Sequence, residues 1–92
     1  MERKIVTEAR AGSYESNDLL VAIKPNNEKI NLEIRSVVSD MFYDSIEKSV
    51  MEELEELGVK SCDISIDDRG ALPFAIKARV RTAVMRGAQN EL

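Results

Sequence analysis

The fold of this chain is decided by residues 19–35, which read LLVAIKPNNEKINLEIR. The first part, 19–24, is rich in apolar residues that favour strands, and Pro25 closes it because proline cannot continue a strand ladder. After a polar turn, apolar and polar residues alternate through 29–35, which is typical of a strand with one solvated face. We therefore predict two strands that pair as a hairpin, a pattern that an all-helical fold does not accommodate.

A long amphipathic helix is predicted to follow, from Val38 to Leu57. Ser36 or Ser39 is suited to cap its start, and Gly58 stands where a left-handed residue commonly ends a helix. Apolar residues recur along it at helical spacing, with Glu and Lys on the other side. The apolar residues are Val38, Phe42, Ile46, Val50, Leu54 and Leu57. This stripe should lie on the dry face of the sheet.

The remaining segments complete a mixed α and β pattern. Strands are predicted over 4–11 and 59–66, with a turn at 67–70. Residues 74–80 alternate like a strand, but the same region fits a helix, which we favour because Pro73 suits a first helical turn. From Gly87 onward the tail is predicted to fray.

The predicted fold class is α+β. We expect one small domain over residues 1–92, with an antiparallel sheet of three to four strands packed against two helices in the order β-β-β-α-β-α.

Composition excludes several classes of function. The 92 residues contain no histidine, which removes most nucleophile–base relays and zinc sites. The single cysteine, Cys62, gives no disulfide framework, and we interpret it as a small buried hydrophobe in a protein of a reducing cytosol. The net charge of −4 argues against nucleic acid as the main partner. No long apolar run opens the chain, so neither a signal peptide nor a membrane span is expected, and the predicted location is the cytoplasm.

A polar stretch between the first two predicted strands is the candidate site. Residues 11–18 read AGSYESND, and Asn17 and Asp18 favour a turn because their side chains hydrogen-bond the nearby backbone. Ser16 would be exposed at the tip of this turn, within reach of another protein's active site. By chemistry alone it is more often an ordinary turn serine, because exposed loop serines are common.

The same stretch resembles the N-terminal signature of the citrate lyase acyl carrier proteins, the gamma subunits of that complex. Two further segments are similar to the family in the same order: residues 30–34 before the long helix, and residues 67–72 followed by 77–80. The resemblance therefore covers almost the whole chain. It implies a single acyl carrier domain over residues 1–92.

In that family the serine of the Glu-Ser-x-Asp turn, here Ser16, carries 2′-(5″-phosphoribosyl)-3′-dephospho-CoA through a phosphodiester. The resemblance implies that Glu15 and Asp18 are recognition or turn-shaping residues for the prosthetic-group transferase. It also implies a non-catalytic subunit that carries acetyl and citryl thioesters between the alpha (transferase) and beta (lyase) subunits of citrate lyase. No membrane and no nucleic acid are expected as partners.

Three alternatives stay open. The carrier subunit of malonate decarboxylase bears the same kind of prosthetic group. Asp44-Ser45-Ile46 and the acidic residues that follow resemble the phosphopantetheine site of ordinary acyl carrier proteins, which would use Ser45. Those proteins are helical bundles, however, and the two strands of 19–35 conflict with that fold. An unmodified interaction module is the third alternative.

Overall fold

Four strands and two helices follow one another in the computed structural model, which describes residues 2–37 and 42–89. They are β1 (Ala9–Gly12), β2 (Leu19–Lys24), β3 (Ile30–Ser36), α1 (Tyr43–Glu56), β4 (Cys62–Asp68) and α2 (Pro73–Gly87). The predicted α+β class and the order β-β-β-α-β-α are confirmed. Neither helix of these described residues is long and apolar enough to cross a membrane.

The sheet has the order β1-β2-β4-β3, so the predicted hairpin of β2 and β3 is wrong. β4 lies between them, antiparallel to β2 and parallel to β3, and the sheet is therefore mixed rather than antiparallel. In this order Cys62, Ile64 and Ile66 of the inner strand β4 are all buried, whereas the apolar residues of the edge strand β3 are only partly covered. α1 serves as the crossover that the parallel pair of β3 and β4 requires.

Both helices pack on one face of this sheet and leave the other face open. Leu54 of α1 and Val80 of α2 are fully buried, as are Leu19 and Val21 of β2 beneath them. These side chains belong to one continuous apolar core. Leu54, which the helical spacing placed in the apolar stripe, thus lies in the core.

The ends of α1 and β4 differ in part from the prediction. Ser36 does not cap α1; it is the last residue of β3 and donates a hydrogen bond to Asp68 at 2.8 Å. Phe42 is the N-cap instead, without a side-chain cap bond, while Val38 and Ser39 lie outside the described residues. At the other end Gly58, with φ of +77°, follows the C-cap as predicted.

Asp67 and Asp68 extend β4 instead of forming the predicted turn. The carboxylate of Asp68 is buried, and it accepts hydrogen bonds from the Ser36 hydroxyl and from the backbone N–H of Ala71, at 2.8 and 2.9 Å. A buried carboxylate needs such partners. Those partners come from β3 and from the turn beyond, so Asp68 must stay in register within the sheet.

The last segment is the helix favoured in the sequence, with Pro73 at its first position. The tail, however, does not fray at Gly87, which is buried. Its carbonyl oxygen accepts hydrogen bonds from the backbone N–H groups of Val6 and Thr7, at 2.8 and 3.1 Å. A side chain here would crowd Ile23, so glycine permits this close approach. Val6 and Thr7 are thus bonded to α2, and the strand predicted over 4–11 begins only at Ala9.

Cys62 is fully buried and free, as predicted. Burial, and to a lesser degree the neighbouring charge of Asp63, raises the pKa of its thiol to about 11. The thiol therefore stays protonated near neutral pH and has little nucleophilic character.

Candidate functional site

Ser16 lies in the loop of residues 13–18 that joins β1 to β2, which we call the Ser16 loop. Gly12 opens the loop with φ of +94°, a conformation that residues with side chains rarely adopt. A Cβ at this position would overlap the carbonyl oxygen of Leu19. That carbonyl accepts a hydrogen bond from the backbone N–H of Ser13 at 3.0 Å. The chain thus closes tightly at the base of the loop.

Asp18 is the centre of the loop's hydrogen bonding. One carboxylate oxygen accepts from the Ser13 hydroxyl at 2.7 Å, and the other accepts from the backbone N–H of Leu19 at 2.8 Å. Arg79 of α2 donates to both oxygens, each at 3.0 Å. The Arg79 guanidinium first of all, assisted by Ser13 and Leu19 against the opposing effect of burial, lowers the pKa of Asp18 to about 2. These contacts favour a turn-shaping role for Asp18.

The other side of the loop is bound to the turn between β4 and α2. The backbone N–H of Asn17 donates to the carbonyl of Arg69 at 2.8 Å, and the N–H of Arg69 donates to the carbonyl of Asp18 at 2.9 Å. Asn17 has φ of +66°, which asparagine tolerates better than most residues. The Arg69 guanidinium lies 5.3 Å from the centre of the Tyr14 ring. The loop is therefore fixed from both the β4 turn and α2.

Ser16 and Glu15 are exposed on this fixed loop. In the part of the chain that the structure describes, the Ser16 hydroxyl makes no hydrogen bond to the protein. Removing or derivatising it therefore disturbs no contact that shapes the loop. This geometry suits a serine that an enzyme modifies, because the backbone around Ser16 is fixed and the hydroxyl oxygen is open to solvent.

The competing serine is Ser45. It is exposed in the first turn of α1, because that helix begins at Tyr43. Asp44 precedes it in the same turn. A position in the first helical turn after an aspartate is compatible with a phosphopantetheine site at Ser45. The four-stranded sheet argues against such a site, since that class of carrier is a bundle of helices.

Sequence reasoning missed four residues of the site: Arg79, Ser13, Arg69 and Tyr14. Arg79 is 61 positions from Asp18, and no local pattern links them. Two signals were available: the segments 67–72 and 77–80 of the family resemblance contain Arg69 and Arg79, and a turn carboxylate commonly has a cationic partner. Choosing Arg79 among them requires the orientation of α2 on the sheet.

Asp18→Asn is expected to lower the free energy of unfolding at pH 7 by roughly 1–2 kcal/mol. An Asp18 pKa near 2, against an ordinary 3.8, corresponds to about 2.4 kcal/mol of stability, because a pKa difference of one is worth about 1.36 kcal/mol. The Arg79 side chain is 44% exposed, so solvent screens the ion pair and the stabilisation is smaller. Because the folded-state pKa is lowered, this stabilisation is complete above about pH 4 and is lost as the pH falls toward 2. Urea titrations at pH values from 2 to 7 measure it.

Glu15→Gln is the matched control, since it removes an exposed carboxylate from the same loop. It should change stability by less than about 0.5 kcal/mol at every pH. An Asp18→Asn deficit that stayed constant from pH 7 to pH 2 would show that the carboxylate charge does not hold the loop to Arg79.

Comparison with known proteins agrees with this fold. The family model that matches residues 6–87 is that of an acyl carrier protein, described as the malonate decarboxylase delta subunit (MdcD). A malonate decarboxylase hetero-tetramer from Pseudomonas, crystallised with malonate, contains a chain of the same fold. The TM-score is 0.79 at 17% identity, covering 92% of this chain and 88% of that one.

Curated relatives show which group of acyl carrier proteins this chain resembles. The citrate lyase acyl carrier protein of Klebsiella pneumoniae is 46% identical over 91 residues, 98% of this chain and 92% of the relative. That of Halothermothrix orenii is 42% identical over 82 residues, 89% of this chain and 87% of the relative. The chain belongs to the citrate lyase acyl carrier protein family.

Proposed function

We propose that this chain is the acyl carrier subunit of a citrate lyase and that Ser16 is its attachment point. The group would be phosphoribosyl-dephospho-CoA, joined to the Ser16 hydroxyl by a phosphodiester. The observation that carries the proposal is an exposed, unbonded serine on a loop fixed at both sides, in a chain of this family. When bound, the group supplies a thiol that holds the acyl unit as a thioester.

The contribution of the chain itself is to hold the attachment point in a fixed position. Arg79 holds Asp18, and the backbone of Arg69 holds Asn17, so the residues on either side of Ser16 have set places. A tether that starts from a fixed point keeps its free end at a high effective concentration near a docked enzyme. Ser16 fits such a tether, because no described contact of its hydroxyl has to break.

Glu15 and Asp18 take different parts in this proposal. Asp18 is engaged within the loop and shapes it for the attaching enzyme. Glu15 is exposed beside Ser16, which supports direct recognition of its carboxylate by the prosthetic-group transferase. The carrier would then pass acetyl and citryl groups between the alpha (transferase) and beta (lyase) subunits in the cytoplasm.

A carrier of malonate decarboxylase is the second candidate, because the matching family model and the structural neighbour both bear that name. Identity favours citrate lyase: the citrate lyase carriers reach 46%, against 17% for the malonate decarboxylase chain. Citrate cleavage restored by adding the loaded chain to purified alpha and beta subunits would separate the two.

Intact-protein mass spectrometry of the chain from its native host, grown on citrate, tests the attachment. We expect an added mass larger than that of phosphopantetheine, because a nucleotide and a further ribose phosphate come with it. Trypsin should place it on peptide 11–29, which contains Ser16, and leave peptide 36–48, which contains Ser45, unmodified. A phosphopantetheine mass on peptide 36–48 would assign the chain to the ordinary carriers, and an unmodified chain would point to an interaction module.

A further inference from the structure

The open face of the sheet carries a groove that begins at the Ser16 loop. Sheet register places Arg10, Ala22, Ser65 and Glu33 side by side across the four strands. The two small side chains in the middle therefore form a floor between two long ones. Two adjoining hollows of about 190 and 810 Å³ share these four residues, and Tyr14 of the loop lines the smaller hollow. We call the two hollows together the sheet groove.

The loop end of the sheet groove keeps one positive charge without a partner. Glu33 is paired with Arg35 at 3.0 Å, and Asp67 is paired with Arg69 at 3.3 Å. Arg10 is exposed, and its guanidinium makes no ion pair or hydrogen bond with the residues that the structure describes. Three arginines thus stand against two carboxylates, so this end of the groove favours an anion.

The far end of the sheet groove has the opposite balance of charge. Glu8 and Asp63 line it together with Lys24. The Asp63 carboxylate accepts hydrogen bonds from the side-chain amides of Asn26 and Asn31, each at 2.9 Å. A ligand that lies along the groove would therefore place its anionic part toward the Ser16 loop and an uncharged, hydrogen-bonding part toward the far end.

We propose that the arm attached to Ser16 lies along the sheet groove, with its diphosphate against the Arg10 guanidinium. Guanidinium and phosphate form strong, charge-assisted hydrogen bonds. The pantetheine part, which carries amides and no charge, suits the far end. The inference rests on the proposed function, which supplies the arm.

Reach and tethering support this occupant over a free ligand. Arg10 is two residues before Gly12, at the base of the loop, and two residues of a strand span only about 6.6 Å. The arm begins beside the groove, so its effective concentration there is high even when the contact is weak. An exposed ion pair is weak in water, so the arm can leave the groove when an enzyme engages it.

Amide NMR spectra of the chain with and without the arm test this inference. The full-length chain is loaded by the prosthetic-group transferase, and the intact mass shows that loading is complete. We expect the amide signals of Ala22 and Ser65 to shift on loading, because both residues lie on the groove floor. The signal of Lys48, which is exposed on α1, should stay in place. This measurement needs no lyase activity.

Arg10→Gln removes the unpaired cation of the sheet groove, and Lys48→Gln is the matched control. Lys48 is an exposed cation on a helix, and the helices cover the other face of the sheet. We expect the loading shifts of Ala22 and Ser65 to fall roughly threefold or more in Arg10→Gln, because the phosphates lose their charged donor. The same shifts should be unchanged in Lys48→Gln. Spectra of the unloaded variants show whether both are folded.

Each other outcome overturns the inference in a distinct way. If loading shifts only the signals of residues 13–18, the arm stays in solvent, while the carrier function stands. If the shifts of Ala22 and Ser65 persist in full in Arg10→Gln, that guanidinium does not bind the diphosphate, and the inference is wrong. If the transferase adds no mass to the wild-type chain, the proposed function fails and this inference fails with it.

Discussion

Ser16→Ala is expected to abolish covalent loading of the chain, while Ser45→Ala should leave it complete. Only the Ser16 oxygen would accept the phosphodiester, and its removal leaves no substitute, because the Ser13 hydroxyl is bonded to Asp18. Incubation with the prosthetic-group transferase and its activated donor, followed by intact-mass measurement, reads the result directly. If labelling were lost only in Ser45→Ala, the attachment point would be Ser45 in α1 instead of Ser16.

Ser16→Ala should also be nearly silent in stability, within about 0.5 kcal/mol, as for exposed positions generally. The Ser16 hydroxyl has no partner among the described residues, so its loss leaves no buried group unsatisfied. A denaturant titration that showed a cost of several kcal/mol would mean that the hydroxyl is structural, and its use as an open attachment point would then be wrong.

Leu54→Ala is expected to lower the free energy of unfolding by about 2–5 kcal/mol. Leu54 is fully buried between α1 and the rest of the core, so truncation removes apolar burial and leaves a cavity. Against a total stability of about 5–15 kcal/mol for a domain of this kind, the change approaches unfolding. Urea titrations followed by circular dichroism measure it as a lower midpoint.

Met51→Ala is the matched control on the same helix, three positions earlier and exposed. It should cost within about 0.5 kcal/mol. Equal costs for the two variants would show that α1 does not pack through the stripe that contains Leu54.

The elements of this fold were predictable because each depends on local pattern. Alternation marked β3, helical spacing marked α1, and Pro73 marked the start of α2. Pairing was not predictable in the same way. Nothing within 19–35 says that a strand from 62–68 will insert between β2 and β3, because that depends on contacts between residues far apart in the sequence. The prediction treated neighbours in sequence as neighbours in the sheet.

The candidate site likewise combines residues that local sequence predicts with residues that it does not. The turn with its Asp18 was predicted from residues 11–18, whereas the role of Ser16 as an attachment point follows from the family resemblance and stays a prediction. The group that fixes Asp18 is Arg79, which reaches it only because α2 crosses the sheet beside the loop. Burial of Asp68 was missed for a similar reason, since its partners come from β3 and from the turn beyond. Long-range pairing of polar groups leaves no mark in local sequence.

The central place of β4 has a consequence for how the chain acquires its structure during synthesis. β2 and β3 leave the ribosome first, yet the facing edge of each stays unpaired until residue 68 has been made. At roughly 5–20 residues per second, residues 37–68 take about 2–6 s to appear. Unpaired strand edges are templates for association with other chains. Two such edges therefore stay open at once until β4 is available, and pairing of β4 closes both in a single step.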